Sequence, residues 1–203
     1  MKKLQEEFPE RLFMLERKGK LGLGTAYIAG FKWALAHHYE YIFEMDADFS
    51  HNPQDLPRLY KACAEEGGDV AIGSRYVSGV NVVNWPMGRV LMSYFASKYV
   101  RFITGIPVHD TTAGFKCYRR CVLQTIDLDN IRFKGYAFQI EMKFTAYKCG
   151  FKIIEVPVIF INRELGTSKM NGSIFGEAVF GVIKLKLNSW FHKYPQKAGN
   201  NKP

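Results

Sequence analysis

Tyr41-Ile42-Phe43-Glu44-Met45-Asp46-Ala47-Asp48-Phe49-Ser50-His51-Asn52-Pro53 begins as an apolar run and ends in two carboxylates one residue apart. The run reads as a strand entering a buried sheet. Pro53 and the polar residues around it then turn the chain into a helix that runs to Glu66. Open α/β sheets bind ligands in the crevice beyond the carboxyl ends of their strands. Asp46 and Asp48, placed there, suit a hard divalent cation that bridges to phosphate oxygens.

The same residues admit other chemistry. Asp, Asn and Ser also build turns and caps. A strand ending in Asp-X-Asp before a hydroxyl residue, here Ser50, also resembles the phosphoaspartyl phosphatases, in which the first Asp is the nucleophile.

Composition narrows the partners without choosing one. A chain of 203 residues has the length of one domain, and 47% hydrophobic with 15% aromatic residues argues a packed globule. A net charge of +9 favours anionic partners: nucleic acid, phospholipid surfaces or phosphorylated substrates. Cys63, Cys117, Cys121 and Cys149 show neither disulfide-framework nor zinc spacing, and read as reduced structural thiols in a cytosolic protein. No basic-then-apolar leader opens the chain, and no uncharged apolar run is long enough to span a bilayer.

Outward from the acidic stretch, a short helical segment over 1–8 precedes a strand over Arg11–Leu15. A basic, Gly-rich loop over 17–26 then leads into a helix ending near His37. Its glycines let backbone N–H groups approach a ligand, and a helix N-terminus attracts phosphate. Downstream, Asp69–Ser74 reads as a buried strand with Arg75 just beyond its end, on the same sheet edge as Asp46 and Asp48. Strand, helix and strand in alternation argue a mostly parallel sheet. Pro86 starts a helix to Thr104 that carries Arg89 and Ser93 four apart, on one face. Asp110 sits in a polar loop before a strand over Phe115–Tyr118. Glu141, in apolar company on a helix over 135–147, either faces solvent or serves a site. Pro157 marks Ile153–Ile161 as an edge or bulged strand. A helix over Ser173–Trp190 is amphipathic with a basic, Trp-bearing end suited to a bilayer surface or to covering the sheet.

Several separated stretches agree with one family. Gly19-Lys20-Leu21-Gly22-Leu23-Gly24-Thr25-Ala26, Glu44 through His51, Gly73-Ser74-Arg75-Tyr76 and Asn84-Trp85-Pro86 with Arg89 are four of them. Asp110-Thr111-Thr112-Ala113-Gly114-Phe115, Gly135 through Glu141, and Val156-Pro157 through Arg163, Gly166, Ser168 and Lys169 complete the set. Together they resemble the polyprenyl- or dolichyl-phosphate mannosyltransferases, family-2 inverting glycosyltransferases with the GT-A fold, over residues 10–185. The order of these motifs also demotes the phosphatase reading, whose acidic motif normally ends the first strand.

The resemblance implies an α/β GT-A fold, assigned to 1–192, and the composition of the remaining residues, 193–203, reads as a disordered basic tail. It implies GDP-mannose as donor, polyprenyl phosphate as acceptor, Mg²⁺ or Mn²⁺, and a peripheral position at the cytoplasmic membrane face. Asp46 and Asp48 would hold the metal against the donor diphosphate, with Asp48 and Arg75 central to catalysis. Lys20, Gly22, Arg163 and Lys169 fall to the donor side. Arg75, Arg89 and Ser93 would grip the acceptor phosphate, and Asp110 and Glu141 would support the site. A UDP-sugar donor is the alternative within the class; a basic nucleic-acid-binding module is the alternative outside it, and no nucleic-acid motif is present.

The family normally opens with a strand ending near Asn-Glu and a second ending Asp-Asp-Gly-Ser, and neither is in this sequence. The expectation is a domain incomplete at its N-terminus, with weak donor binding and poor stability unless another chain completes the sheet.

Overall fold

The computed structural model describes residues 2–19, 21–162 and 172–198, with the backbone alone over 172–178. Its main sheet has four strands, β1 (Tyr41–Glu44), β2 (Val70–Ser74), β4 (Lys116–Arg119) and β5 (Ile153–Pro157), in the order β1-β4-β2-β5. A second ribbon pairs β3 (Val82–Val83) in parallel with β6 (Phe160–Ile161). Both β1 and β2 run antiparallel to β4, and β5 runs parallel to β2. Three strands therefore share one direction and β4 alone is reversed, so the sheet is mixed. One edge thus gathers the carboxyl ends of β1, β2 and β5 and the loop that enters β4. Asp46, Asp48, Arg75 and Asp110 are all delivered there by connectivity.

The described residues form seven α-helices: α1 (Lys2–Glu7), α2 (Leu23–Ala36), α3 (Leu56–Ala64), α4 (Met87–Thr104), α5 (Arg120–Thr125), α6 (Ala137–Lys148) and α7 (Gly172–Phe191). Period-2 alternation divides the core. Val70, Ile72 and Tyr118 face α2, α5 and α6 beside Phe31, Phe138 and Met142. Ala71 and Cys117 face the other way, onto Leu59, Ala62 and Cys63 of α3. Leu59 is fully buried, and truncating such a side chain to Ala costs about 2–5 kcal/mol. Pro86 caps the start of α4, and Gly105, left-handed at φ 74°, ends it.

Three expectations change. Arg11–Leu15 forms no strand: a strand needs a ladder, β1 pairs with β4 alone, and Phe13 packs on Trp33 instead, with ring centroids 4.9 Å apart. The tail is docked as far as Lys197, whose N–H donates to the Cys149 carbonyl at 2.8 Å and whose Nζ reaches Asp69 Oδ2 at 2.7 Å. Asp69 is fully buried and requires a cation. Gly22, at φ 100°, serves a close approach of backbone to backbone: an added Cβ would stand 2.9 Å from the Lys134 carbonyl oxygen.

Candidate active site

The acidic loop is built locally. Beyond β1 the Asp48 carboxylate turns back on its own chain, where Oδ1 accepts from Ser50 N–H at 3.1 Å and from Ser50 Oγ at 2.5 Å. This Asx turn sets Phe49 at φ 62° with 94% of its surface exposed, a left-handed conformation that non-glycine residues adopt at a cost. Asp46 is anchored separately: Tyr27 on α2 donates its hydroxyl to Asp46 Oδ1 at 2.8 Å. Burial, with Glu44 and Asp46 nearby, drives the Tyr27 phenol far above its ordinary value, so it is a permanent donor.

Beneath the loop lies a buried polar floor. Glu44 and Lys116 are register partners on β1 and β4, and Lys116 Nζ stands 2.9 Å from Glu44 Oε2. Gln139 of α6 bridges them, accepting from Lys116 and donating to Glu44. Lys143, one turn further along α6, donates to the carbonyls of Thr111, Ala113 and Gln139 at 3.1, 2.6 and 3.2 Å. It thereby straps the 110–114 loop to α6. Burial lowers the pKa of both lysines, and repulsion from Lys116 lowers that of Lys143 further.

On the cationic side, Asp110 forks Arg75: Nε and Nη2 each donate at 2.6 Å, and the Arg75 backbone N–H adds a third bond at 3.0 Å. Thr112 Oγ1 accepts from Nη2 at 2.8 Å. Burial pushes the Asp110 carboxyl up, but the charge and hydrogen bonds of Arg75 outweigh it and hold it below its ordinary value. Glu155 of β5 accepts the backbone N–H groups of His109 and Asp110, fixing the loop that presents this carboxylate. Arg89 lies with its guanidinium carbon 3.9 Å from the Trp85 ring centroid, and its Nη1 donates to Asn162 Oδ1 at 2.9 Å.

Beside these groups lies a cavity of about 510 Å³. Asp46, Asp48, Arg75, Arg89 and Ser93 all line it, together with the apolar or aromatic Met92, Phe95 and Tyr99 of α4, Ile140 of α6, and Val179 and Val182 of α7. Asp110 stands one contact behind, through Arg75. Glu141 is not in the wall: its Oε2 accepts the N–H groups of Arg132 and Phe133 at 2.9 and 2.8 Å, and so fixes the entry to α6. Gly22 is also away from the wall, and Lys20, Arg163 and Lys169 lie outside the described residues.

Among the described residues no cluster of three or more His, Cys, Asp or Glu gathers as a ready cation cage. Two hard carboxylates in a cavity also lined by two arginines nevertheless fit Mg²⁺ or Mn²⁺, which commonly take one or two protein carboxylates and fill the rest with water and phosphate oxygens. Tyr27, Thr112, Gln139 and Asn162 were not legible as site residues. Each acts by positioning another side chain, and Thr112, Gln139 and Asn162 carried only their place within the quoted motifs.

The architecture is that of a GT-A fold. Glucosyl-3-phosphoglycerate synthase from Mycobacterium tuberculosis in complex with phosphoglyceric acid shares the fold, with a TM-score of 0.55 at 17% identity over 91% of this chain and 58% of that one. The same enzyme with Mn²⁺ and UDP-glucose gives 0.54 at 18% identity, over 91% and 57%. The chain matches the glycosyl transferase family 2 model over residues 1–127 and belongs to that family. It is 50% identical over 176 residues to a polyprenol monophosphomannose synthase from Mycolicibacterium smegmatis, covering 87% of this chain and 66% of that protein. It is 49% identical to an undecaprenyl-phosphate mannosyltransferase from Micrococcus luteus, covering 86% and 71%. The chain thus spans about two thirds of the length of these relatives. Family membership displaces the phosphatase and nucleic-acid readings.

Proposed function

We propose that this chain carries the catalytic site of a metal-dependent, inverting mannosyltransferase that moves mannose from GDP-mannose to a polyprenyl phosphate. The carrying observation is the lining of the cavity. Its wall combines two arginines with apolar side chains from α4, α6 and α7, which suits an amphiphile with an anionic head and a hydrocarbon tail. The names of the two relatives support mannose and a polyprenyl phosphate. GDP-mannose follows from the family resemblance.

The chemistry asks little of a general base. A phosphate monoester has a second pKa of about 6 and is largely dianionic at neutral pH, so its oxygen attacks the sugar carbon directly. The chain's task is to hold two anions together. Arg75, fixed by Asp110 and Thr112, and Arg89, fixed by Trp85 and Asn162, present charge to the acceptor with little reorganisation. Asp46 and Asp48 would hold the cation, which supplies Lewis-acid neutralisation of the departing diphosphate when bound. One in-line displacement inverts the sugar carbon.

A peripheral membrane position completes the reading. On α4, Met87, Leu91 and Phe102 are exposed, and on the adjacent α7 Phe180, Trp190 and Phe191 are exposed. No helix among the described residues is long and apolar enough to cross a membrane. The basic surplus suits an anionic leaflet.

A second reading has support of its own: a structural neighbour binds UDP-glucose with Mn²⁺. Transfer of radiolabelled sugar from GDP-mannose and from UDP-glucose to a short prenyl phosphate decides between the donors. Mannose transfer that is abolished by EDTA and by Asp48→Asn is the expected result. Full activity of Asp48→Asn would remove the metal-site argument.

A further inference from the structure

His51 belongs to the acidic stretch, and the mechanism above does not use it. Its ring is 6% exposed, packed between Phe115 and Phe160 with centroids 4.9 and 5.1 Å away, the second edge-on. Nδ1 is sealed from solvent and meets no hydrogen-bond partner. His51 is nonetheless one of the residues lining the cavity, and Nε2 is not among the sealed, unpartnered atoms. Packing alone calls for no imidazole here, because Phe or Leu would fill the same slot without burying a polar nitrogen.

The tautomer follows from that asymmetry. A buried lone pair without a donor is tolerated more readily than a buried N–H without an acceptor. The proton therefore sits on Nε2. Burial lowers the His51 pKa against the opposing pull of Asp46 and Asp48, which favours the neutral ring.

Position selects the ligand. The Phe160 ring that flanks His51 is shared with the cationic side of the site. The Arg75 guanidinium carbon is 5.7 Å from its centroid and the Trp85 ring 5.3 Å. The backbone holds the arrangement, since the Ile161 N–H on β6 donates to the Ser50 carbonyl at 3.2 Å.

Resting on the acceptor reading above, we propose that His51 is a further acceptor-binding residue, whose Nε2–H donates a hydrogen bond to a phosphate oxygen of the prenyl phosphate beside Arg75. An uncharged donor orients that oxygen without supplying a proton to the nucleophile.

The test uses the full chain with ¹⁵N-labelled histidine. His51→Asn assigns the His51 signals among the five histidines. The free protein should show His51 in the Nε2–H form between pH 6 and 8. Its Nε2 resonance should move on saturation with farnesyl phosphate in detergent and stay fixed with GDP and Mg²⁺. His51→Phe, which keeps the ring packing, should raise the KM for prenyl phosphate about tenfold and leave the donor KM within twofold. His51→Gln, which keeps a donor, should recover part of the loss. An Nδ1–H tautomer, an unmoved Nε2 in saturated protein, or an unchanged acceptor KM in His51→Phe overturns the assignment. If the wild-type chain binds no prenyl phosphate, the acceptor reading falls and takes this ligand with it. If it binds the lipid without moving Nε2, only the His51 assignment falls.

Discussion

Replacing Asp110 with Asn tests the electrostatics on which the cationic side of the site depends. Asp110 is fully buried and Arg75 is 8% exposed. Two bonds of 2.6 Å and one of 3.0 Å join them. The amide keeps the volume but removes the charge and turns an N–H group toward a donor. Arg75 is then a desolvated cation with one good acceptor fewer. Breaking a buried ion pair in this way costs about 3–5 kcal/mol, against a total stability of about 5–15 kcal/mol for a domain. Urea unfolding should therefore show a large drop in midpoint with an unchanged slope. Adding Arg75→Met to Asp110→Asn should recover stability, with a coupling of about 2 kcal/mol or more.

The pH dependence follows from the sign of the shift. Asp110 is held below its ordinary 3.8 in the folded state, so its contribution is complete above that value and lost as pH falls through the folded pKa. The stability gap between wild type and Asp110→Asn should be flat from pH 5 to 8 and narrow below about pH 4. A single-variant cost under 1 kcal/mol, or additive effects in the cycle, would refute the reasoning.

Other consequences are simpler to measure. Phe49→Gly relieves a left-handed conformation at a side chain that is 94% exposed; it should stabilise the fold by about 0.5–1 kcal/mol, and a loss in thermal melting counts against the strain. Ellman's reagent should react quickly with Cys121 alone, because Cys63, Cys117 and Cys149 are buried and burial pushes the Cys149 thiol up to about 11; rapid modification of a second thiol would show the packing to be looser than described. Trp190→Ser with Phe191→Ser should weaken binding to phosphatidylglycerol vesicles about tenfold or more, since each exposed ring offers about 1.5–3 kcal/mol on burial; unchanged partition would remove α7 from the membrane contact.

The sequence alone determined which residues carry charge to the site edge. An apolar run ending in Asp46 and Asp48, and another ending before Arg75, place those groups at strand ends because strand direction is written in the order of helix and strand. The Arg89–Ser93 spacing is one helical turn, so both residues reach the same cavity wall. Such features are local, and local spacing is what a sequence displays.

Tertiary structure alone decided how those charges are tolerated and aimed. That Asp110 serves Arg75, that Gln139 spans Glu44 and Lys116, and that His51 shares Phe160 with Arg75 depends on the reversed strand β4 and on the β3–β6 ribbon. Gly22 and Glu141 show the same limit from the other side. Their residue types suited a ligand, yet one accommodates the Lys134 backbone and the other binds two amides at the entry to α6. The reason is physical: the cost of burying a charge or an N–H depends on which distant segment supplies its partner, and only the folded chain brings that segment within 3 Å.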